Sequence, residues 1–166
     1  MTTIRPFNES DWIPVWQMIE PVFRAGETYP MSPNITEAEA KQHWIDSPTA
    51  TYVYANDANE PIGTYYIKPN QPALGAHVCN CGYIVAAQSR GQGIAAEMCK
   101  HSQKRAVALG FRAMQFNLVV STNTPSVKLW PRLGFEVVGT LPKAFRHSSL
   151  GFVDAFVMYK VLAQHS

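Results

Sequence analysis

The sequence predicts a single mixed α/β domain, on three observations. The chain has 166 residues, of which 46% are hydrophobic, enough for one core of ordinary size. Its hydrophobic periodicities alternate in the order βααβββαβαββ. Most neighbouring strand segments are joined by short turns, while one strand–helix–strand unit requires a crossover, so the sheet is mixed and mostly antiparallel, with about seven strands and about four helices.

Thr3 to Pro6 reads as a short first strand. Behind polar Asn8 to Asp11, the residues Trp12, Val15, Trp16, Ile19, Val22 and Phe23 recur at helical spacing; Pro14 fits a first turn, and Pro21 is expected to kink or end the helix. The stretch Gly26 to Pro33 (GETYPMSP) is a loop. Thr36 and Glu39 have capping-box spacing and open a second helix running to about Asp46. Thr51 to Ala55 and Pro61 to Lys68 form a hairpin around NDANE, and a further strand runs from about Ala76 to Val85. A helix begins at Gln92 or Gly93 and ends near Leu109, with Gly110 as its left-handed cap. Met114 to Val120 is an apolar strand, Asn123 can cap a helix from Thr124 to Leu133, and Phe135 to Thr140 pairs with Phe152 to Val161 around a long loop.

Composition excludes several functions. Fourteen basic against twelve acidic residues give a formal charge of +2, too slight for nucleic acid as the main partner. No apolar run approaches the ~18 residues of a membrane span, and the opening residues do not read as a signal peptide, so a cytoplasmic protein is expected. Three cysteines cannot all pair. Cys79 and Cys81 with His77 do not suggest a metal site: residues two apart on a strand lie ~7 Å apart, too far for one tetrahedral ion.

The chemistry-bearing stretch is Tyr83-Ile84-Val85-Ala86-Ala87-Gln88-Ser89-Arg90-Gly91-Gln92-Gly93-Ile94-Ala95, an apolar strand entering a glycine-containing loop and then a helix. Such a loop is an anion cradle, with backbone amides and the helix N-terminus aimed at one point, and Arg90 adds a guanidinium suited to phosphate. A dinucleotide fingerprint fits poorly, because the loop follows a mid-chain strand and no acidic residue stands about twenty positions on.

Gln88-x-x-Gly91-x-Gly93 with Arg90 instead resembles the pyrophosphate loop of the GCN5-related N-acetyltransferases. The segment Asn123-Thr124-Pro125-Ser126-Val127-Lys128-Leu129-Trp130-Pro131-Arg132-Leu133-Gly134-Phe135 is similar to a second motif of that superfamily. Asn80 and the run Phe116 to Asn123 resemble the branch that includes fungal enzymes acting on proline analogues such as azetidine-2-carboxylate. The resemblance implies an acyl-CoA N-acyltransferase fold with the fourth and fifth strands splayed apart, acetyl-CoA as co-substrate, no metal, and a small amine or amino acid as acceptor. Relatives are often dimers, so a homodimer is expected.

It also implies sites. Backbone groups of Ile84 and Val85 would pair with the pantetheine arm. The amides of Arg90, Gly91, Gln92, Gly93, Ile94 and Ala95 would hold pyrophosphate, and Asn123 the pantetheine near its thioester. Trp130 stands where many relatives carry a tyrosine acid, and indole cannot titrate, leaving packing against the thiol as its role. His77 is a candidate base, competing with a plain surface histidine. Asn80 and Asn117, with Asn123, would form three amides converging on the gap, able to orient an amine or hold an oxyanion. Glu27, Thr28, Tyr29 and Phe145 would line the acceptor side; Glu27, like Arg146, taken singly reads better as a solvated loop charge. Two further readings stay open: a protein N-terminus or lysine as acceptor, and an acyl-CoA sensor without turnover.

Overall fold

A computed structural model describes residues 3–162. Seven strands form one sheet in the order β1-β2-β3-β4-β5-β7-β6: β1 (Thr3–Pro6), β2 (Ala50–Ala55), β3 (Pro61–Pro69), β4 (Val78–Val85), β5 (Ala113–Val120), β6 (Glu136–His147) and β7 (Gly151–Val161). The helices are α1 (Trp12–Ala25), α2 (Glu37–Lys41), α3 (Ile94–Ala108) and α4 (Thr124–Arg132). Every strand pair is antiparallel except β4–β5, which is the pair joined by the α3 crossover, as a parallel connection requires. No described helix is long and apolar enough to cross a membrane.

Side-chain alternation divides the core into two. Cys79 and Cys81 of β4, Tyr65 and Ile67 of β3, and Met114 and Phe116 of β5 face α3 and α4. Tyr66 and Ile84 face the other way, with Val15, Ile19 and Phe23 of α1 and Trp44. The three cysteines are free and buried, and among the described residues no group of metal-binding side chains assembles.

Local signals explain most boundaries. Glu39 N–H donates to Thr36 Oγ1 (3.1 Å) and Thr36 N–H to Glu39 Oε1 (3.2 Å), the reciprocal capping box expected. Gly110, at φ +91°, ends α3 as expected. Pro21 does not end α1, which continues to Ala25. The carbonyl its ring leaves unbonded belongs to exposed Gln17, where water can take it, and the turn beyond buries Phe23 completely. Burying a side chain of that size is worth about 1.5–3 kcal/mol, comparable to the ~3 kcal/mol proline penalty.

Two elements differ from expectation. After α2 the chain widens into a single π turn, Gln42–Asp46, with Ser47 N–H bonding Gln42 C=O; this turn places buried Trp44 against Tyr66 (4.8 Å between ring centroids). The long loop expected after Thr140 is strand: β6 runs on to His147, with register shifts at Val137/Gly139 and Leu141/Phe145. Bulges of this kind absorb residues such as Pro142 that cannot join a regular ladder.

Candidate active site

The parallel β4–β5 ladder holds only two register pairs, Val78 with Ala113 and Cys79 with Met114. Beyond them the strands part. At the point of divergence Asn80, 7% exposed, spans the opening: its side-chain NH2 donates to Gln115 C=O (2.9 Å), and its Oδ1 accepts from Tyr66 O–H (3.1 Å). One amide thus ties β3, β4 and β5 together where the ladder stops.

Alternation decides which backbone groups face the gap. Ala86 N–H bonds Ile62 C=O and Asn70 N–H bonds Val78 C=O, so the even residues of β4 pair with β3 and the odd ones face β5. Val85 therefore faces the gap as expected. Ile84 does not: it lies opposite Thr64, and its contribution is a buried side chain on the α1 face.

Tyr83 carries the gap-facing pair next to that of Val85. Its N–H donates to the Tyr29 hydroxyl (2.9 Å), which in turn donates to Tyr83 C=O (2.8 Å). Its ring lies below the gap, 5.1 Å from Trp130 and 5.9 Å from Phe116 between centroids. Trp130 is buried there as a packing group. Burial pushes the phenols of Tyr29, Tyr66 and Tyr83 well above the ordinary tyrosine value, so all three remain neutral O–H groups at physiological pH.

The loop after β4 has the expected shape. Gly91 and Gly93 take φ of +80° and +79°, a region closed to most side chains. The first backbone bond of the helix runs from Glu97 N–H to Gly93 C=O, so the amides of Ile94, Ala95 and Ala96 lie at an open N-terminus. Arg90, Gly91, Gln92 and Gly93 are exposed. Arg90 and Gln88 also border a cavity of about 690 Å³ between α1, the β2–β3 turn and this loop; it shares residues with the loop but not with the gap.

Other anticipated residues lie apart. His77 precedes β4, is exposed, and sits at the paired end of the strands, six residues or roughly 20 Å from Tyr83; it does not line the gap. The three amides do not converge. Asn117 bonds Gln115 and Asn70 beside a bulge in β5 between Phe116 and Val119, whereas Asn123, at the start of α4, turns its NH2 to Ser126 Oγ (3.0 Å). Phe145 is a buried residue of β6, opposite Val153, and Glu27 is exposed. Of the basic residues on α3, His101 bonds the Tyr65 hydroxyl and Arg105 the Tyr52 hydroxyl, so both are committed to the protein.

The two loops over the α1 face do meet: Ser148 N–H bonds Gly26 C=O (3.0 Å). Three residues on this face escaped the sequence reading. Tyr66 lies over Gly82, where a Cβ would stand 2.5 Å from its ring. Gln115 supplies the carbonyl that Asn80 bonds. Lys68 stands opposite Asn80 in the ladder, half-buried, with Nζ 5.3 Å from the Tyr66 ring centroid and no ion pair among the described residues. Only the strand parity of Lys68 and Asn80 could have hinted at this.

Known proteins share this architecture. N-acetyltransferase aca1 of Schizosaccharomyces pombe is 32% identical over 148 residues, 80% of this chain and 71% of that protein. A GCN5-related N-acetyltransferase from Kribbella flavida superposes with TM-score 0.92 at 38% identity, covering 97% of this chain and 98% of that one. The phosphinothricin acetyltransferase of Sinorhizobium meliloti, solved in complex with AcCoA, shares the fold at TM-score 0.88 and 19% identity, over 99% and 90% of the chains. The profile of the Acetyltransferase (GNAT) family matches residues 12–135, a span that includes the parted strands, the glycine loop and α4, and the chain belongs to that family.

Proposed function

We propose that this acetyltransferase moves the acetyl group of acetyl-CoA to the amine of a small molecule that also carries a carboxylate, such as an amino acid. The observation carrying this reading is the gap itself: strand backbone at Val85 left without a β5 partner beside an anion cradle on one side, and Asn80 with half-buried Lys68 opposite it on the other. Acetyl-CoA, when bound, supplies the activated thioester. Val85 would pair with its amide-bearing arm, and Gly91 to Ala95 would hold its pyrophosphate with Arg90 adjacent. Asn123 and Trp130, at the mouth and floor of the gap, would border the arm near its sulfur. The pairing of Ser148 with Gly26 covers the acceptor side, which favours a small acceptor over a protein terminus or lysine.

After its bonds to Tyr66 and Gln115, Asn80 keeps one N–H and a lone pair that would orient the acceptor, and Lys68 would offer its ammonium to a carboxylate. The described side chains lining the gap, Tyr29, Tyr66, Asn80 and Trp130, include no group that exchanges a proton near neutrality. The acceptor therefore arrives as the free amine or gives its proton to water.

The expected result for Lys68→Ala is a KM for an amino-acid acceptor raised roughly 10- to 100-fold, as for a lost charge-assisted hydrogen bond. The KM for the corresponding amine without its carboxylate should not change. A panel of amino acids, amines and peptides monitored by free-thiol release checks both points, and turnover of peptides alone would overturn the small-acceptor reading.

We also propose a homodimer through the outer wing of the sheet. Edge strand β6 spans twelve residues, and Val137, Val138, Leu141 and Phe152 are exposed on the β6–β7 wing, which is more apolar length than an unprotected edge normally presents. Light scattering should give twice the monomer mass, and Val138→Lys should return the protein to monomer.

A further inference from the structure

The hydroxyl of Tyr29 occupies the place in the gap where a neighbouring strand would pair. A strand-like ligand bonds alternate residues of its partner, so an arm paired with Val85 meets Tyr83 next, about 7 Å along. At Tyr83 both backbone groups are held by the phenol, at 2.9 and 2.8 Å. The ring is wedged in place, with edge contacts to Phe23 and Trp44 at centroid separations of 5.8 and 5.9 Å. Phe23 and Trp44 are themselves fully buried.

We propose that Tyr29 is the end wall of the acyl subsite and restricts the transferable acyl group to one of acetyl size. The proposal rests on the reading that the thioester arm lies along β4. From the direction of Val85, an acyl carbonyl reaching Tyr83 N–H displaces or abuts the phenolic oxygen. Carbon atoms added beyond acetyl run against the ring, and behind the ring stand Phe23 and Trp44. Bonds made and broken are those of ordinary acetyl transfer; Tyr29 acts by contact with the acyl group and exchanges no proton.

The test compares acetyl-, propionyl-, butyryl- and hexanoyl-CoA in the wild-type protein, Tyr29→Phe and Tyr29→Ala, measuring kcat/KM with one acceptor and the dissociation constants by calorimetry. The wild type should prefer acetyl- to butyryl-CoA by at least ~100-fold, two methylenes at about tenfold each. Tyr29→Phe keeps the ring and should keep that ratio. Tyr29→Ala should narrow it by about tenfold or more, chiefly by improving butyryl-CoA. An unchanged ratio in Tyr29→Ala, in both turnover and binding, overturns the proposal, as does a ratio lost in Tyr29→Phe. If Tyr29→Ala does not fold by circular dichroism, Tyr29→Leu, with intermediate volume, should narrow the ratio partly, and no narrowing there is equally fatal. Failure of the donor reading looks different: the wild type would then bind none of the four thioesters.

Discussion

Asn80→Ala is expected to lose both turnover and stability, and the stability loss should be visible without any ligand. The substitution leaves Tyr66 O–H without its acceptor and Gln115 C=O without its donor. Each buried group left unsatisfied costs about 1–3 kcal/mol, so losing both partners should lower stability by roughly 2–4 kcal/mol, the lower to middle part of their summed range. For a chain of this length that corresponds to a Tm lower by roughly 5–12 °C. The opening between β4 and β5 then loses the strut that sets its width, and kcat/KM should fall by at least about tenfold, the effect of ~1.4 kcal/mol in the transition state. Tyr66→Phe separates the two contributions. It removes one bond while Asn80 keeps its hold on Gln115, so its melting shift should be the smaller. The double variant should show coupling, since both residues belong to one network. A folded Asn80→Ala protein with full turnover and an unshifted Tm would remove Asn80 from both roles.

How far the sequence could be read follows the range of the interactions. Short-range signals were legible: the Thr36–Glu39 box, Gly110, and above all the Gly91–Gly93 loop, whose geometry depends only on local backbone conformation. Asn80 was legible in part, because a polar amide among apolar strand residues must find partners, but which partners it finds depends on where the ladder ends. Asn117 and Asn123 share only residue type with it: beside the bulge after Phe116, Asn117 bonds Gln115 and Asn70, and at the start of α4 Asn123 bonds Ser126. Tyr29 marks the limit. Its loop was expected to border the acceptor, yet that its hydroxyl pairs with the backbone of a residue 54 positions away depends on a π turn holding Trp44 against it. No local pattern specifies a π turn, since its extra residue costs hydrogen-bond geometry that only tertiary packing repays. His77 lies apart for a related reason: the parting of β4 and β5 begins beyond it, and its odd parity is that of Cys79 and Cys81, on the α3 face.

Gly93→Ala and Arg90→Glu should both weaken acetyl-CoA binding, by mechanisms that salt separates. A Cβ at Gly93 would meet nothing within 4 Å, so the substitution makes no clash and any defect comes from the backbone. Holding alanine at φ +79° costs about 1–2 kcal/mol, and a loop relaxing to negative φ turns its amides away from the point where they converge. The dissociation constant should rise about 10-fold, since ~1.4 kcal/mol is one decade, and the factor should persist between 50 mM and 500 mM salt. Arg90→Glu keeps the loop's conformation and reverses an exposed charge beside an anion. Its effect should be at least as large at low salt and should shrink as the Debye length falls from about 10 Å at 0.1 M toward 3 Å at 1 M. Gly82→Ala is the control for sterics: there the new Cβ would lie 2.5 Å from the Tyr66 ring, and because Trp44 backs that ring, the variant should lose stability with no selective loss of the pyrophosphate contact. Calorimetry of acetyl-CoA and of S-acetylpantetheine, which carries neither phosphate of the pyrophosphate, decides the matter. Equal weakening of both ligands by Gly93→Ala would place the loop's amides away from the pyrophosphate, whereas weakening of acetyl-CoA alone ties the positive-φ backbone to that group.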